Sequence, residues 1–187
     1  MRDFIMKFPK RKPTRLKGYD YSSNNSYFVT VCSYDRQPVF GHISAVGQGL
    51  APAEMHLSEY GQIAREQILD LEKRYPFLKI EKYIIMPDHI HMILMFNKEF
   101  RTAGASPCPT GEESAILKVT LSDVMCAFKS LTTRACKLKG FDGKLFQSSF
   151  NDEVIRNLQH YDEVWKYIDT NILRWQLEKY SDENSHD

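Results

Sequence analysis

Tyr83-Ile84-Ile85-Met86-Pro87-Asp88-His89-Ile90-His91-Met92-Ile93-Leu94-Met95-Phe96 is the stretch whose reading organises the rest of the 187-residue chain. Its aliphatic runs on either side of Met86-Pro87-Asp88 predict two strands, over 78–85 and 89–96, joined by a turn at which proline has no N–H to give to a ladder. Residues two apart point about 200° from each other on a helix but share a face on a strand. The apolar run from Met92 to Phe96 argues for the strand, so the imidazoles of His89 and His91 converge. Two converging imidazoles suit an open divalent-cation site that keeps positions free for a substrate. They equally suit a polar pair on a strand surface, and the tripeptide alone leaves both readings open.

Working outward, Tyr27-Phe28-Val29-Thr30-Val31-Cys32-Ser33 is β-branched and aromatic and predicts a strand. Pro38, Gly41, Gly47 and Gly49 then mark a loop or hairpin. Tyr60, Ala64, Ile68, Leu71 and Tyr75 recur at helical spacing before Pro76 and predict a helix over 58–75. A second helix is predicted over 121–139, with Leu121, Val124, Phe128, Leu131, Ala135 and Leu138 as its apolar stripe and Gly140 as its stop. A short strand or extended link follows within 146–156, and a third helix over 162–178 runs straight through Asn171-Ile172. This order predicts an α+β fold with helices on one face of an antiparallel sheet. A basic arm (1–17), one domain (18–178) carrying a surface insertion over 97–118, and an acidic tail (179–187) complete the organisation.

Composition excludes several classes. With 25 Lys and Arg against 24 Asp and Glu and 42% hydrophobic residues, the chain is neither disordered throughout nor a uniformly basic nucleic-acid packer. The balance hides an asymmetry, since residues 1–17 hold seven basic side chains and only Asp3, a local charge of +6. That arm reads as a solvated leader or as a phosphate-gripping segment. No apolar segment follows it and no run reaches the ~18 residues of a membrane span, so a cytoplasmic protein is expected. The four cysteines, Cys32, Cys108, Cys126 and Cys136, form no C-x-x-C pair, which argues against a thiol redox motif or compact zinc knuckle.

On the third predicted helix, Tyr167 and Asn171 stand at i and i+4 along one edge of the apolar stripe. A phenol is a nucleophile only with help from a base or cation, and an amide oxygen suits a hard cation such as Mg²⁺ or Mn²⁺. An amphipathic tyrosine beside a helix-end asparagine is the plainer alternative.

Taken together, these segments resemble the single-tyrosine HUH (His, hydrophobic, His) transposases of the insertion-sequence 200/605 type, and most of all the REP-associated tyrosine transposases. The resemblance is carried by Met86-Pro87-Asp88-His89-Ile90-His91 and Tyr167-Ile168-Asp169-Thr170-Asn171. It extends to Arg15-Leu16-Lys17-Gly18-Tyr19-Asp20-Tyr21 with the Tyr-Phe-Val-Thr strand, to Ala127-Phe128-Lys129-Ser130-Leu131-Thr132, and to Phe150-Asn151-Asp152-Glu153-Val154-Ile155-Arg156. It implies a ferredoxin-like, RRM-like sheet, a cation (Mg²⁺ or Mn²⁺) held by His89, His91 and Asn171, and Tyr167 as the nucleophile. The implied reaction is cleavage and strand transfer on single-stranded hairpin DNA through a 5′-phosphotyrosine link. By charge and position, Arg15, Lys17, Lys129, Arg134 and Lys137 are the candidate phosphate contacts, with a solvated surface as the alternative for each, and Tyr19 or Tyr21 are candidates to stack on bases. A cytoplasmic, nucleoid-associated protein is expected, a monomer in preference to a dimer with the dimer left open. A silent hairpin-binding protein that kept the fold is the alternative. The chain departs from the family pattern at Glu153, where relatives often have His, and at Ile172, where many have Pro.

Overall fold

A computed structural model describes residues 15–44, 53–98 and 119–183. The basic arm up to residue 14, most of the expected insertion and the last four residues of the acidic tail lie outside the described residues.

Four strands form one antiparallel sheet: β1 (Asn25–Cys32), β4 (Leu78–Ile85), β5 (His89–Phe96) and β6 (Asn151–Ile155), in the order β4-β5-β1-β6. The β4–β5 hairpin turns at Met86-Pro87-Asp88, where the Met86 N–H donates to the His89 carbonyl at 2.8 Å. β5 lies between β4 and β1, in a register that sets Thr30 opposite His91 and Cys32 opposite His89. Two short strands, β2 (Gly41–Ile43) and β3 (Met55–Leu57), pair separately and realise the hairpin expected from the glycines. The helices are α1 (Glu59–Arg74), α2 (Leu121–Leu138), α3 (Leu158–Asp169) and α4 (Asn171–Glu183).

The sheet is covered on both faces, where the sequence suggested one. Ile90, Met92, Leu94 and Phe96 of β5, with Tyr27, Val29 and Val31 of β1, pack with the buried residues of α1 and α2. The opposite face buries Ile93 and Ile155 against Val164 and Ile168 of α3, with Phe28, Ile84 and Tyr167 at the margin. An even apolar run such as Ile90 to Phe96 has no alternation to expose, which is the pattern of a strand buried on both sides.

Local chemistry explains the helix ends. Ser58 accepts from the Gly61 N–H at 3.1 Å, Thr120 and Asp123 form a reciprocal capping box, and Asn157 accepts from the His160 N–H. Gly140 ends α2 at φ 89, as its position predicted. The stripe of α2 differs at its end: Thr132 and Cys136 are buried whereas Leu138 is 82% exposed.

The expected continuous third helix is broken at Thr170. Its hydroxyl donates to the Lys166 carbonyl at 2.9 Å and its N–H to the same carbonyl at 3.0 Å, which closes α3 before α4 begins. A β-branched hydroxyl that bonds back to the preceding turn bends a helix without proline. The expected acidic tail begins inside α4, which runs to Glu183.

Gly61 marks a close approach, because a Cβ there would lie 2.1 Å from the Phe40 carbonyl oxygen, which already accepts from the Ser58 N–H. Gly61→Ala must push α1 off this contact, and we expect a loss of about 1–3 kcal/mol in chemical denaturation. Unchanged stability would show that α1 does not sit where this contact puts it.

Candidate active site

The cleft of interest lies between the ends of β1 and β5 and the α3–α4 break. It has a volume of about 520 Å³, and its lining includes Thr30, Arg36, His89, His91, Tyr167 and Asn171. β5 contributes the two imidazoles because their spacing of two keeps both on the face turned to α3 and α4. Their ring centroids lie 4.6 Å apart. Tyr167, near the end of α3, brings its hydroxyl to 3.4 Å from Nε2 of His91, and Asn171 opens α4 at 5% exposure. The i and i+4 pair thus stays on one side although the helix breaks between its members.

Each imidazole is held from behind. His89 Nδ1–H donates to the Asp88 carboxylate at 2.5 Å, and His91 Nδ1 shares a hydrogen bond with the Thr30 hydroxyl at 2.9 Å. A fixed Nδ1 leaves Nε2 as the outward nitrogen of each ring, the usual arrangement of histidines poised as ligands. Phe28 stacks on His91 at 5.2 Å and meets the Tyr167 ring edge-on at 5.9 Å, which wedges imidazole and phenol together. Burial, then the neighbouring His89 and Arg36, pushes the His91 imidazole down to about 3, so it stays neutral.

These residues fit a divalent cation: two neutral-capable nitrogens backed by hydrogen bonds, and a buried amide at the same cleft. Among the described residues no cluster of three His, Cys, Asp or Glu forms a fuller metal centre.

The other expected contacts sit elsewhere. Arg134 and Lys137, together with Lys144, line a groove of about 700 Å³ between α2 and the segment 143–148; Gln147 lines both this groove and the cleft. Lys129 also borders the groove, but its ammonium donates to the carbonyls of Gln147 at 2.5 Å and Ser148 at 2.9 Å, tying that segment to α2. Arg15 lies 3.7 Å from the buried Asp152 carboxylate and over the Phe150 ring, and Lys17 is exposed. Tyr19 and Tyr21 pack against the main core and against each other. Glu153 faces His160 at 3.3 Å and does not line the cleft.

Sequence reasoning missed Arg36, Thr30 and the role of Asp88. Thr30 was legible from strand alternation opposite the histidines, and Asp88 from its adjacency to His89. Arg36 reaches the cleft through a turn that the sequence does not announce.

No protein-family model matches the chain. An uncharacterized protein of Haemophilus influenzae is 24% identical over 172 residues, covering 90% of this chain and 92% of that one. The fold is an α+β fold already seen in a solved structure. It is shared with the solved structure of a REP-associated tyrosine transposase bound to a REP hairpin, at a TM-score of 0.55, 20% identity, and coverage of 86% of this chain and 73% of that one.

The His91 shift sets a pH dependence. Its folded value lies below the ordinary 6.5, so the unfolded chain takes up the proton first. The contribution to stability is therefore complete above about pH 6.5, shrinks as pH falls, and is gone near pH 3. Denaturant unfolding from about pH 7 to pH 4 should show stability falling on acidification, with a shallower slope in His91→Gln. Equal slopes in the two proteins would contradict the burial of a neutral imidazole.

Proposed function

We propose that the protein is a divalent-cation-dependent DNA transposase or nickase that cleaves single-stranded DNA near a hairpin through a 5′-phosphotyrosine intermediate. The observation that carries this reading is the meeting of His89, His91, Tyr167 and Asn171 in one cleft of one chain. The shared fold with a transposase bound to hairpin DNA supports the same substrate class.

Tyr167 Oη forms a bond to the scissile phosphorus while the bond from phosphorus to the 3′ oxygen breaks, and the phenol proton ends on that oxygen as a free 3′-OH. The phosphodiester's energy stays in the tyrosyl ester, so the 3′-OH of another end can reverse the step as strand transfer. Mg²⁺ or Mn²⁺, held by Nε2 of His89, Nε2 of His91 and the Asn171 amide oxygen, would offset the charge gathering on the phosphoryl oxygens. Phe28 holds the phenol against the histidine side of the cleft, and Thr30 and Asp88 hold the two rings in register.

The chain acts as a monomer in this reading, because Tyr167 lies beside His91 of its own chain. Arg134 and Lys137 line the approach to the cleft as phosphate contacts, with Arg15 and Lys17 serving flanking DNA. Lys129 contributes chiefly by shaping the border between groove and cleft. The proposed place of action is the cytoplasm, at the nucleoid; among the described residues no helix is long and apolar enough to cross a membrane.

The test is incubation of the purified protein with an end-labelled library of single-stranded hairpin oligonucleotides and Mn²⁺, followed by a denaturing gel. A protein–DNA adduct that survives denaturation is expected, and Tyr167→Phe and a chelator should each reduce its rate by roughly 10³-fold or more. Cleavage that persists in Tyr167→Phe would replace this reading with a water-using phosphodiesterase. Hairpin binding with neither cleavage nor adduct would make the protein a silent binder.

A further inference from the structure

We propose that Arg36 is the anion-gripping residue of the cleft, its guanidinium contacting a non-bridging oxygen of the phosphodiester attacked by Tyr167. The proposal rests on the phosphodiester reading of the cleft and adds to it a group outside the histidine, tyrosine and asparagine set.

Arg36 closes a single turn, Tyr34–Arg36, that follows β1. Asp35 and Arg36 adopt φ of 50 and 55, two consecutive non-glycine residues in the left-handed region. That conformation is disfavoured for L residues and persists where the surroundings over-determine it, commonly at a working site. Ser33, just before the turn, is wholly buried; its N–H and hydroxyl both donate to the Asp88 carbonyl at 2.9 Å, which lashes the turn to the β4–β5 connection.

The side chain is tethered as firmly as the backbone. Arg36 Nε forms an ion pair with the second oxygen of the Asp88 carboxylate at 3.0 Å, and Nη1 donates to Cys32 Sγ at 3.1 Å. Asp88 is 5% exposed and spends its first oxygen on His89, so one buried carboxylate aligns an imidazole and a guanidinium together. Of the five N–H groups of a guanidinium, this leaves three without a partner named by these contacts, on a side chain that is half exposed and borders the cleft. A planar, pre-oriented fork of donors matches phosphate oxygens better than a flexible ammonium does.

Arg36 borders the same cleft as both imidazoles. Arg174, the other arginine bordering the cleft, lies with its guanidinium 5.3 Å from the Tyr167 ring centroid and is placed to serve the phenol. A fixed donor aimed at oxygens that gain charge in the transition state is worth roughly 10²–10³ in rate in comparable sites.

The experiment uses the full chain and two readouts. In calorimetric titration of the metal-free protein with inorganic phosphate, Arg36→Ala should weaken binding at least tenfold, with Arg36→Lys intermediate. In single-turnover adduct formation with hairpin DNA and Mn²⁺ at the concentration that saturates the parent protein, Arg36→Ala should be slowed roughly 10²-fold or more. Arg36→Lys should recover part of that loss, and added guanidinium should accelerate Arg36→Ala but not the parent protein. Circular dichroism melting of both variants establishes that they fold. Phosphate binding unchanged in both variants overturns the proposal. So does a slowed Arg36→Ala whose rate returns in full on raising Mn²⁺, since Arg36 would then act only by positioning His89. If the parent protein forms no adduct while phosphate binding still depends on Arg36, the tyrosine reaction fails and the anion site stands.

Discussion

Two imidazoles on one face of a strand that is buried on both sides impose the constraint from which the rest of the structure follows. His89 and His91 lie at 6% and 4% exposure at the start of the inner strand β5, where an unpaired buried polar group carries a penalty of a few kcal/mol. A strand cannot turn one of them away without turning both, so this face must supply a polar partner for each ring and a cover that is not wholly apolar. Asp88 and Thr30 are the partners, and the α3–α4 break is the cover.

That requirement explains several features that look unrelated along the chain. Core packing of β5 toward α1 and α2 is dominated by apolar side chains, while the opposite side divides into an apolar patch at Ile93, Val164 and Ile168 and a polar cleft next to it. Lys82 secures α3 over that division: its ammonium meets the Asp169 carboxylate at 2.5 Å and lies 3.9 Å from the centre of the Trp165 ring. The hydroxyl of Thr170 then ends α3 where Asn171 must turn inward. Behind the sheet ends, the strained turn at Asp35 and Arg36 completes a charged relay through Asp88 to His89. A single carboxylate is thus shared by two groups that a substrate phosphate would meet from the same direction.

The sequence carried much of this. Strand β5 and the convergence of its histidines followed from period two, and both strands of the β4–β5 hairpin came out at the expected residues. Helices α1 and α2 were legible from apolar spacing and from the flanking Pro76 and Gly140. The break at Thr170 was not, because Thr in a helix pattern signals neither stop nor continuation until its hydroxyl finds a carbonyl. The two-sided sheet was missed because an all-apolar strand and a one-sided strand differ only at a few positions, here Ile93 and Ile155. Lys129 looked like a surface cation because spacing says nothing about carbonyls arriving from a segment 18 residues away. Arg36 was silent because its placement depends on backbone dihedrals that no side-chain pattern encodes.

In the proposed reading, two imidazoles of the sheet and the amide of Asn171 at the start of α4 form one cation-binding set beside a phenol. Anomalous diffraction from crystals soaked in Mn²⁺ tests it most directly. The account predicts one strong anomalous peak between Nε2 of His89 and Nε2 of His91, on the side of Asn171 and Tyr167, that disappears in His91→Ala. A bare histidine pair at saturating Mn²⁺, or a peak held by other residues, would contradict it.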